Sequence, residues 1–284
     1  MLRVLSTAEE IDAVGAIRSA FVPKGLDQTG RVPVRSGLDM LDQRALSHWL
    51  EEVRPEAVIN CVGLVKQRPE AEDEALAMAV NAELPHRLAA ICRTLGARLI
   101  HFSTDCVFSG REGRYTEASL PDCTDLYGRS KLLGEVGGEG MLTLRTSMIG
   151  PELTTRHGLL GWFLGQAGSV KGYTSAIFSG LTSLEIARVV KNHVLPASHL
   201  SGLYHLSTVP IAKFDLLHLI REAYGHHIDI EPDASVVIDR SLDSSAFQTA
   251  TNYAPPDWPS LVRDLRNFSR PHFLHFLSAE PQPA

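Results

Sequence analysis

No stretch of the chain approaches about 18 consecutive apolar residues, so none reads as a membrane-spanning helix. The first residues carry Glu9, Glu10, Asp12 and Asp27 without an uninterrupted apolar core, and no secretory signal is expected there. Basic residues are outnumbered: 27 Lys and Arg against 33 Asp and Glu leave a net charge of −6 and no basic stripe. That argues against a protein that lives on nucleic-acid phosphates. Cysteine is scarce, and Cys61, Cys92, Cys106 and Cys123 form no C-x-x-C pair. Buried, reduced thiols in a cytoplasmic protein are the expectation. Internal repeats and low-complexity tracts are missing. With 44% hydrophobic and 21% charged residues, disordered and fibrous classes are excluded. At about 150 residues per domain, the 284 residues suggest one large domain or two modest ones, able to bury a core without disulfides or metals.

What the chain does have is an alternation of strand and helix patterns. Residues 57–62 (AVINCV), 97–102 (ARLIHF) and 141–149 (MLTLRTSMI) are short apolar runs, as expected of parallel strands buried on both faces. Between them, 72–95 places Leu76, Met78, Leu84, Leu88 and Cys92 at helical spacing, with Pro85 marking a break or kink. A second helix is expected over 126–136, ended by Gly137 and Gly138. Beyond Pro151 glycines widen the loops, helices are expected over 183–195 and 213–224, and 202–206 (GLYHL) reads as a strand. The fold class is therefore α/β: a doubly wound parallel sheet with a smaller C-terminal cap. Residues 280–284 are expected to be a disordered tail.

Two local features carry chemistry. Tyr127 and Lys131 stand four apart in a helical pattern and so share a face. A cation there favours the phenolate and lowers the phenol pKa, giving a general acid for a ketone oxygen; the alternative is an ordinary exposed pair. Upstream, a strand ends in Ser103, Thr104 and Asp105. Hydroxyls at the carboxyl end of a parallel strand sit where ligands bind, and one can donate to a carbonyl; alternatively they cap the following turn. The adjacent His226 and His227 are not at ligand spacing, so no metal is expected. Gly158, Gly161, Gly165 and Gly168 surround Trp162 and Phe163 and read as part of the cap, not as a phosphate loop.

The stretches VINCVG (58–63), AVNA (79–82), ARLIHFSTDCVFSG (97–110), YTE (115–117), DLYGRSKLLGE (125–135) and LRTS (144–147) together resemble the extended short-chain dehydrogenase/reductase group, most of all dTDP-4-dehydrorhamnose reductases and their relatives. GLYHLS (202–207) and DRSL (239–242) continue the similarity. The resemblance implies a Rossmann-like NAD(P)-binding domain over about 1–150 and a substrate-binding cap over 151–279 with segments interleaved into the sheet. It implies reduction of the 4-keto group of a nucleotide-activated deoxysugar. Thr104 would polarise the keto oxygen, Tyr127 would deliver the proton, and Lys131 would hold the nicotinamide ribose. Val62, Gly63 and Asn81 would border the cofactor, and Asp39 and Met40 would bracket adenine. Arg18 would hold a ribose 2′-phosphate, favouring NADP(H) over NAD(H). Solvated charge for Arg18, and a cap or turn role for Asp39, are the plainer alternatives. Asp105, Ser179 and Thr182 resemble substrate-side positions. The nucleotide-sugar is the expected partner, without nucleic acid or membrane; a homodimer is left open.

One family feature has no counterpart. No strand followed by G-x-G-x-x-G or G-x-x-G-x-x-G occurs in the first sixty residues. Residues 1–6 (MLRVLS) look like the end of the helix that such a turn would feed, as if a strand and turn were missing. Backbone N–H groups of that turn hold the pyrophosphate, so the 284-residue chain is expected to bind the dinucleotide poorly. A tight dissociation constant measured on this polypeptide would refute that. Two rival functions stay open: a non-catalytic, partner-binding regulatory subunit of the same fold, and an epimerase or dehydratase. For a dehydratase Asp105 supplies one acid–base member, but Cys106 stands where a glutamate would be more persuasive.

Overall fold

The structure is a computed structural model that describes residues 1–277 apart from 24, 27, 28, 67, 68 and 154. The tail expected to be disordered, 280–284, lies outside the described residues. The N-terminal part contributes a short helix α1 (Leu2–Leu5) and two brief strands, β1 (Gly15–Ala16) and β2 (Val34–Arg35), which pair in parallel. Helix α2 (Gln43–Val53) starts where Asp42 accepts hydrogen bonds from Arg44 and Ala45 N–H, satisfying two of the four orphan donors at its start.

Strands β3 (Ala57–Asn60), β4 (Arg98–Thr104) and β5 (Met141–Thr146) follow, separated by helices. The helical stretch after β3 runs as α3 (Glu74–Ala77), a π-helical turn over Met78–Glu83, and α4 (Leu84–Leu95). Pro85 falls in the first turn of α4, where its missing N–H is tolerated. Helix α5 (Leu126–Leu133) stops three residues before the expected end. Its cap is Gly134, whose N–H bonds to carbonyls of the last turn, so Glu135 leaves the helix and turns toward the sheet.

The C-terminal part holds β6 (Met148–Ile149), α6 (Leu159–Leu164), β7 (Ser169–Tyr173), β8 (Ala176–Phe178), β9 (Leu181–Thr182), α7 (Ser183–Val189) and β10 (Gly202–His205). It closes with β11 (Ile211–Ala212), α8 (Lys213–Tyr224), β12 (Asp229–Asp233), β13 (Ile238–Asp239), α9 (Ser245–Thr251) and α10 (Trp258–Leu277). Strand β10 returns to the main sheet, which is all parallel in the order β10-β5-β4-β3. Both faces of β5 are buried, which explains its unbroken apolar reading. One face packs Leu99 and Met141 under Leu46, Leu50, Leu84 and Leu88 of α2 and α4. The other packs Ile100, Leu142 and Leu144 against Leu160, Phe163, Ile186 and Leu261. Among the described residues no strand joins the β1–β2 pair to β3, so that pair stands as a sheet of its own.

The thiols depart from expectation. Cys92 is buried, but Cys61 is exposed just past the end of β3, and Cys106 and Cys123 are half-buried; all four are free. No helix among the described residues is long and apolar enough to cross a membrane. The described residues also hold no cluster of three or more His, Cys, Asp or Glu fit for a metal ion.

Candidate active site

Strand β4 carries Thr104 to its carboxyl end, and a single 3₁₀ turn, Asp105–Val107, follows. The Thr104 hydroxyl accepts from Cys106 N–H at 3.1 Å and donates to Asp105 Oδ1 at 3.2 Å. Thr104 thus does cap the turn. Asp105 is buried, and desolvation raises its carboxyl pKa against the opposing pull of Arg240 and of hydrogen bonds from Cys106, Ser147 and Thr104.

Helix α5 lies directly on this turn. Asp125 caps it by accepting from Gly128 N–H at 2.8 Å and pairs with Lys66 at 3.3 Å. Gly128 permits the approach, because a side chain there would run into the Cys106 carbonyl and Cys123. At the other end of α5, Gly134 sits against the π-helical turn, and a Cβ there would overlap the Asn81 carbonyl. A Gly134→Ala variant is therefore expected to lose about 1–3 kcal/mol through overpacking, read as a lower urea midpoint with an unchanged slope. An unchanged midpoint would mean that the helix has room to move.

The close seat brings the Tyr127 phenol and the Thr104 hydroxyl within hydrogen-bonding influence of each other. The expected acidified phenol is not what the geometry gives. Burial first, then Cys106, Asp105 and Asp125, raise the Tyr127 pKa, and the Thr104 hydrogen bond only partly opposes them. Lys131 is not among the groups that lower it; its Nζ donates to the Phe102 carbonyl at 2.6 Å. Lys131 is 6% exposed. Burial pushes its pKa down to about 8, with the Glu135 carboxylate opposing. Next to it on β4, His101 is fully buried beside Asn60, at 3.1 Å, and burial followed by Lys131 pushes its ring down to about 2. Such a histidine is neutral and has no part in proton transfer near pH 7.

The residues expected at the cofactor fall into two groups. Val62 and Gly63 are exposed on the loop that leaves β3 and offer an open backbone shelf. Asn81 holds that loop from behind: its Oδ1 accepts from Leu64 N–H at 2.9 Å, and its Nδ2 donates to Leu64 O and to Ser130 Oγ at 3.1 and 3.2 Å. Its amide is thereby committed to positioning the shelf against α5. Further out, Asp39 accepts from Leu41 N–H at 2.9 Å, a turn role, and Met40 packs half-buried on the α2–α4 cluster. Arg18 is exposed just beyond β1.

Two substrate-side expectations meet a different arrangement. Ser179 and Thr182 are buried, with hydroxyls engaged inside the fold. Ser179 Oγ accepts from Leu242 N–H at 2.9 Å, and Thr182 caps α7 by accepting from Glu185 N–H at 3.2 Å. Three residues not singled out in the sequence act on the turn after β4 or on Lys131. Ser147 hydrogen-bonds Asp105. Arg240 donates from Nε to Phe108 O at 2.8 Å and from Nη1 to Cys106 Sγ at 3.6 Å. Glu135 acts on Lys131. The DRSL stretch that holds Arg240 stands out in the sequence, but nothing local announces that it meets Cys106.

A family model described as the RmlD substrate binding domain matches residues 12–167. The chain is 41% identical over 102 residues to a dTDP-4-dehydrorhamnose reductase of Streptomyces griseus, covering 36% of this chain and 34% of that protein. It is 32% identical over 121 residues to methionine adenosyltransferase 2 subunit beta of Xenopus laevis, covering 39% of this chain and 35% of that one. These matches thus span about a third of the curated relatives' lengths. In structure the chain is similar to a dTDP-4-dehydrorhamnose reductase from Bacillus anthracis in complex with NADP, with a TM-score of 0.75 at 18% identity, covering 90% of this chain and 98% of that one. The architecture is accordingly a Rossmann-like α/β fold with a parallel sheet flanked by helices.

Proposed function

The chain belongs to the RmlD substrate binding domain family, and from that membership we propose that it is an NADPH-dependent reductase acting on the 4-keto group of a nucleotide-activated deoxysugar. The observation that carries this reading is the meeting of the Thr104 hydroxyl with the Tyr127 phenol at the carboxyl end of β4, with Lys131 one helical turn further along. Ligands of open α/β sheets bind at that end of the strands. The Tyr127 phenol is protonated near neutrality, as a donor to an oxygen that gains charge in ketone reduction must be, although its raised pKa makes it a weaker acid than the sequence predicts. Thr104 stands beside the same position, and its single O–H would turn from Asp105 Oδ1 to donate to that oxygen. Asp105, whose carboxyl pKa burial raises, sits beside both and is the nearest acidic neighbour on the substrate side.

The residues present fit one end of a nicotinamide dinucleotide. The exposed shelf of Val62 and Gly63 leaves room for a flat group beside Thr104's strand, and a Cβ on Gly63 would close to 3.4 Å from Asn81 Oδ1. Lys131 would hold the ribose, Arg18 a 2′-phosphate, and Asp39 with Met40 the adenine. When bound, the nicotinamide supplies the hydride. In this reading residues before about 150 serve the cofactor, residues beyond serve the sugar nucleotide, and the protein works in the cytoplasm. The test is NADPH oxidation by the 284-residue chain with a dTDP-4-keto-6-deoxyhexose, at NADPH concentrations high enough to overcome weak binding. Ketone-dependent oxidation is expected; its absence across the NADPH range would end the proposal.

A second reading has its own support. The Lys131 ammonium rests on a backbone carbonyl, and the phenol is raised instead of lowered. The similarity to methionine adenosyltransferase 2 subunit beta also favours a partner-binding regulatory role. Stoichiometric co-purification with an enzyme, without ketone-dependent NADPH oxidation, would favour it. Dehydration has less support. Cys106 occupies the position beside Asp105, and burial pushes its thiol up to about 11, so it carries no charge near pH 7.

A further inference from the structure

The turn Asp105–Val107, which the Thr104 hydroxyl caps, is anchored unequally at its two ends. At the far end Val107 and Phe108 are fully buried in a cluster with Tyr115 and Leu242. The Phe108 ring stacks on Tyr115 at 4.1 Å. The Arg145 guanidinium, gripped by Glu135 through bonds of 2.7 and 2.8 Å, stands over the same ring at 5.2 Å. At the near end Cys106 is only half-buried, yet its N–H is the donor that holds Thr104 Oγ at 3.1 Å. A single 3₁₀ turn has poor hydrogen-bond geometry of its own, so the place of that N–H needs a further support.

Arg240 supplies one from the C-terminal part of the chain, where it follows directly on β13. Its Nε donates to the Phe108 carbonyl at 2.8 Å and its Nη1 to Cys106 Sγ at 3.6 Å. A guanidinium presents its N–H groups in a rigid plane, so one side chain spans both acceptors with little freedom. Cys106 is thereby bonded at its thiol to Arg240 and at its amide to Thr104.

The arginine is itself fixed by its neighbours. Asp239 N–H donates to Gly110 O at 2.8 Å, Tyr115 N–H to Ser241 O at 2.9 Å, and Leu242 N–H to Ser179 Oγ at 2.9 Å. Gly110 has φ +87, and a Cβ there would run into the Ile238 and Arg240 side chains, so only glycine lets the loop pass over them. We propose that Arg240 is a positioning residue that clamps the turn after β4 through Phe108 and Cys106, and so aligns the Thr104 hydroxyl with the Tyr127 phenol. Its consequence for turnover rests on the reductase reading, whereas its hold on the turn does not. Arg240 is also the cation that opposes the burial of the Asp105 carboxyl.

The test is Arg240→Met in the full chain, with two readouts and urea unfolding to verify that it folds. Amide hydrogen exchange followed by NMR compares Cys106 and Phe108, whose N–H groups bond Thr104 Oγ and Asp105 O, with the amides inside β4. Exchange at Cys106 and Phe108 should quicken about tenfold, on the scale of one lost hydrogen bond to a charged group, while the β4 amides keep their rates. In steady-state kinetics kcat should fall about 10–10²-fold with little change in the KM for the ketone. Should Arg240→Met fail to fold, Arg240→Lys keeps the charge but loses the planar fork, and should show both effects at smaller size. Unchanged exchange at Cys106 and Phe108 in a folded variant overturns the proposal. So does a wild-type kcat, and a raised KM beside it would make Arg240 a substrate contact instead. Faster exchange, with no ketone reduction by any form including wild type, retains Arg240's hold on the turn and removes the reductase reading.

Discussion

Replacing Tyr127 by phenylalanine lowers the turnover number for ketone reduction by about 10²–10⁴-fold. The ring fills the same half-buried space on α5, so the change removes an O–H and little else. With the phenol gone, the developing alkoxide keeps the Thr104 hydroxyl but has no proton donor within reach. The loss belongs in kcat more than in KM, because the phenol acts on charge that appears only in the transition state. A pH profile separates this from a binding defect. Burial and the carboxylates of Asp105 and Asp125 keep the wild-type phenol protonated near neutrality. The group expected to limit the alkaline side is therefore Lys131, whose pKa is pushed down to about 8. Turnover should fall as pH rises through that value, since the lysine loses the charge that holds the cofactor ribose in this reading. Equal turnover numbers for Tyr127→Phe and wild type, measured by NADPH absorbance at saturating ketone, would remove Tyr127 from the chemistry.

The second large effect concerns stability. Arg145→Met leaves the Glu135 carboxylate buried without its bidentate partner, and the expected loss is about 3–5 kcal/mol. That is a large share of the roughly 5–15 kcal/mol by which domains are stable. Ser103 can still donate one hydrogen bond, which does not replace two charge-assisted bonds at 2.7 and 2.8 Å. Replacing both partners, Arg145→Met with Glu135→Leu, leaves no buried charge and should recover most of the loss. Urea unfolding of the two forms measures the difference. A single variant as stable as wild type would mean that water reaches Glu135 and the pair is not truly buried.

These effects depend on features that the sequence reveals unevenly. Strands β3, β4 and β5 are legible because a parallel strand covered on both faces must be apolar throughout. The end of α5 is not. Helical spacing continues past Leu133, yet Gly134 must lie against the Asn81 carbonyl, a tertiary constraint without local signature. Tyr127 and Lys131 were placed on one helix face by their spacing, and both are on α5. Spacing could not say that the lysine would reach for the Phe102 carbonyl, nor that burial would raise the phenol pKa instead of lowering it. Ser179 and Thr182 show how a hydroxyl at a motif-like position can be taken up by a backbone N–H once the chain folds. Arg240 reaches Cys106 across 134 residues of chain, a distance over which no periodicity speaks.

Transfer of hydride to a sugar ketone beside Thr104 and Tyr127 leaves an isotopic mark on the product. The wild-type chain is incubated with a dTDP-4-keto-6-deoxyhexose and NADPH carrying deuterium at both nicotinamide C4 positions, and the sugar product is analysed by mass spectrometry and NMR. One deuterium at the former ketone carbon is the result predicted. A sugar recovered without deuterium, either unchanged or altered by epimerisation or loss of water, would contradict the claim.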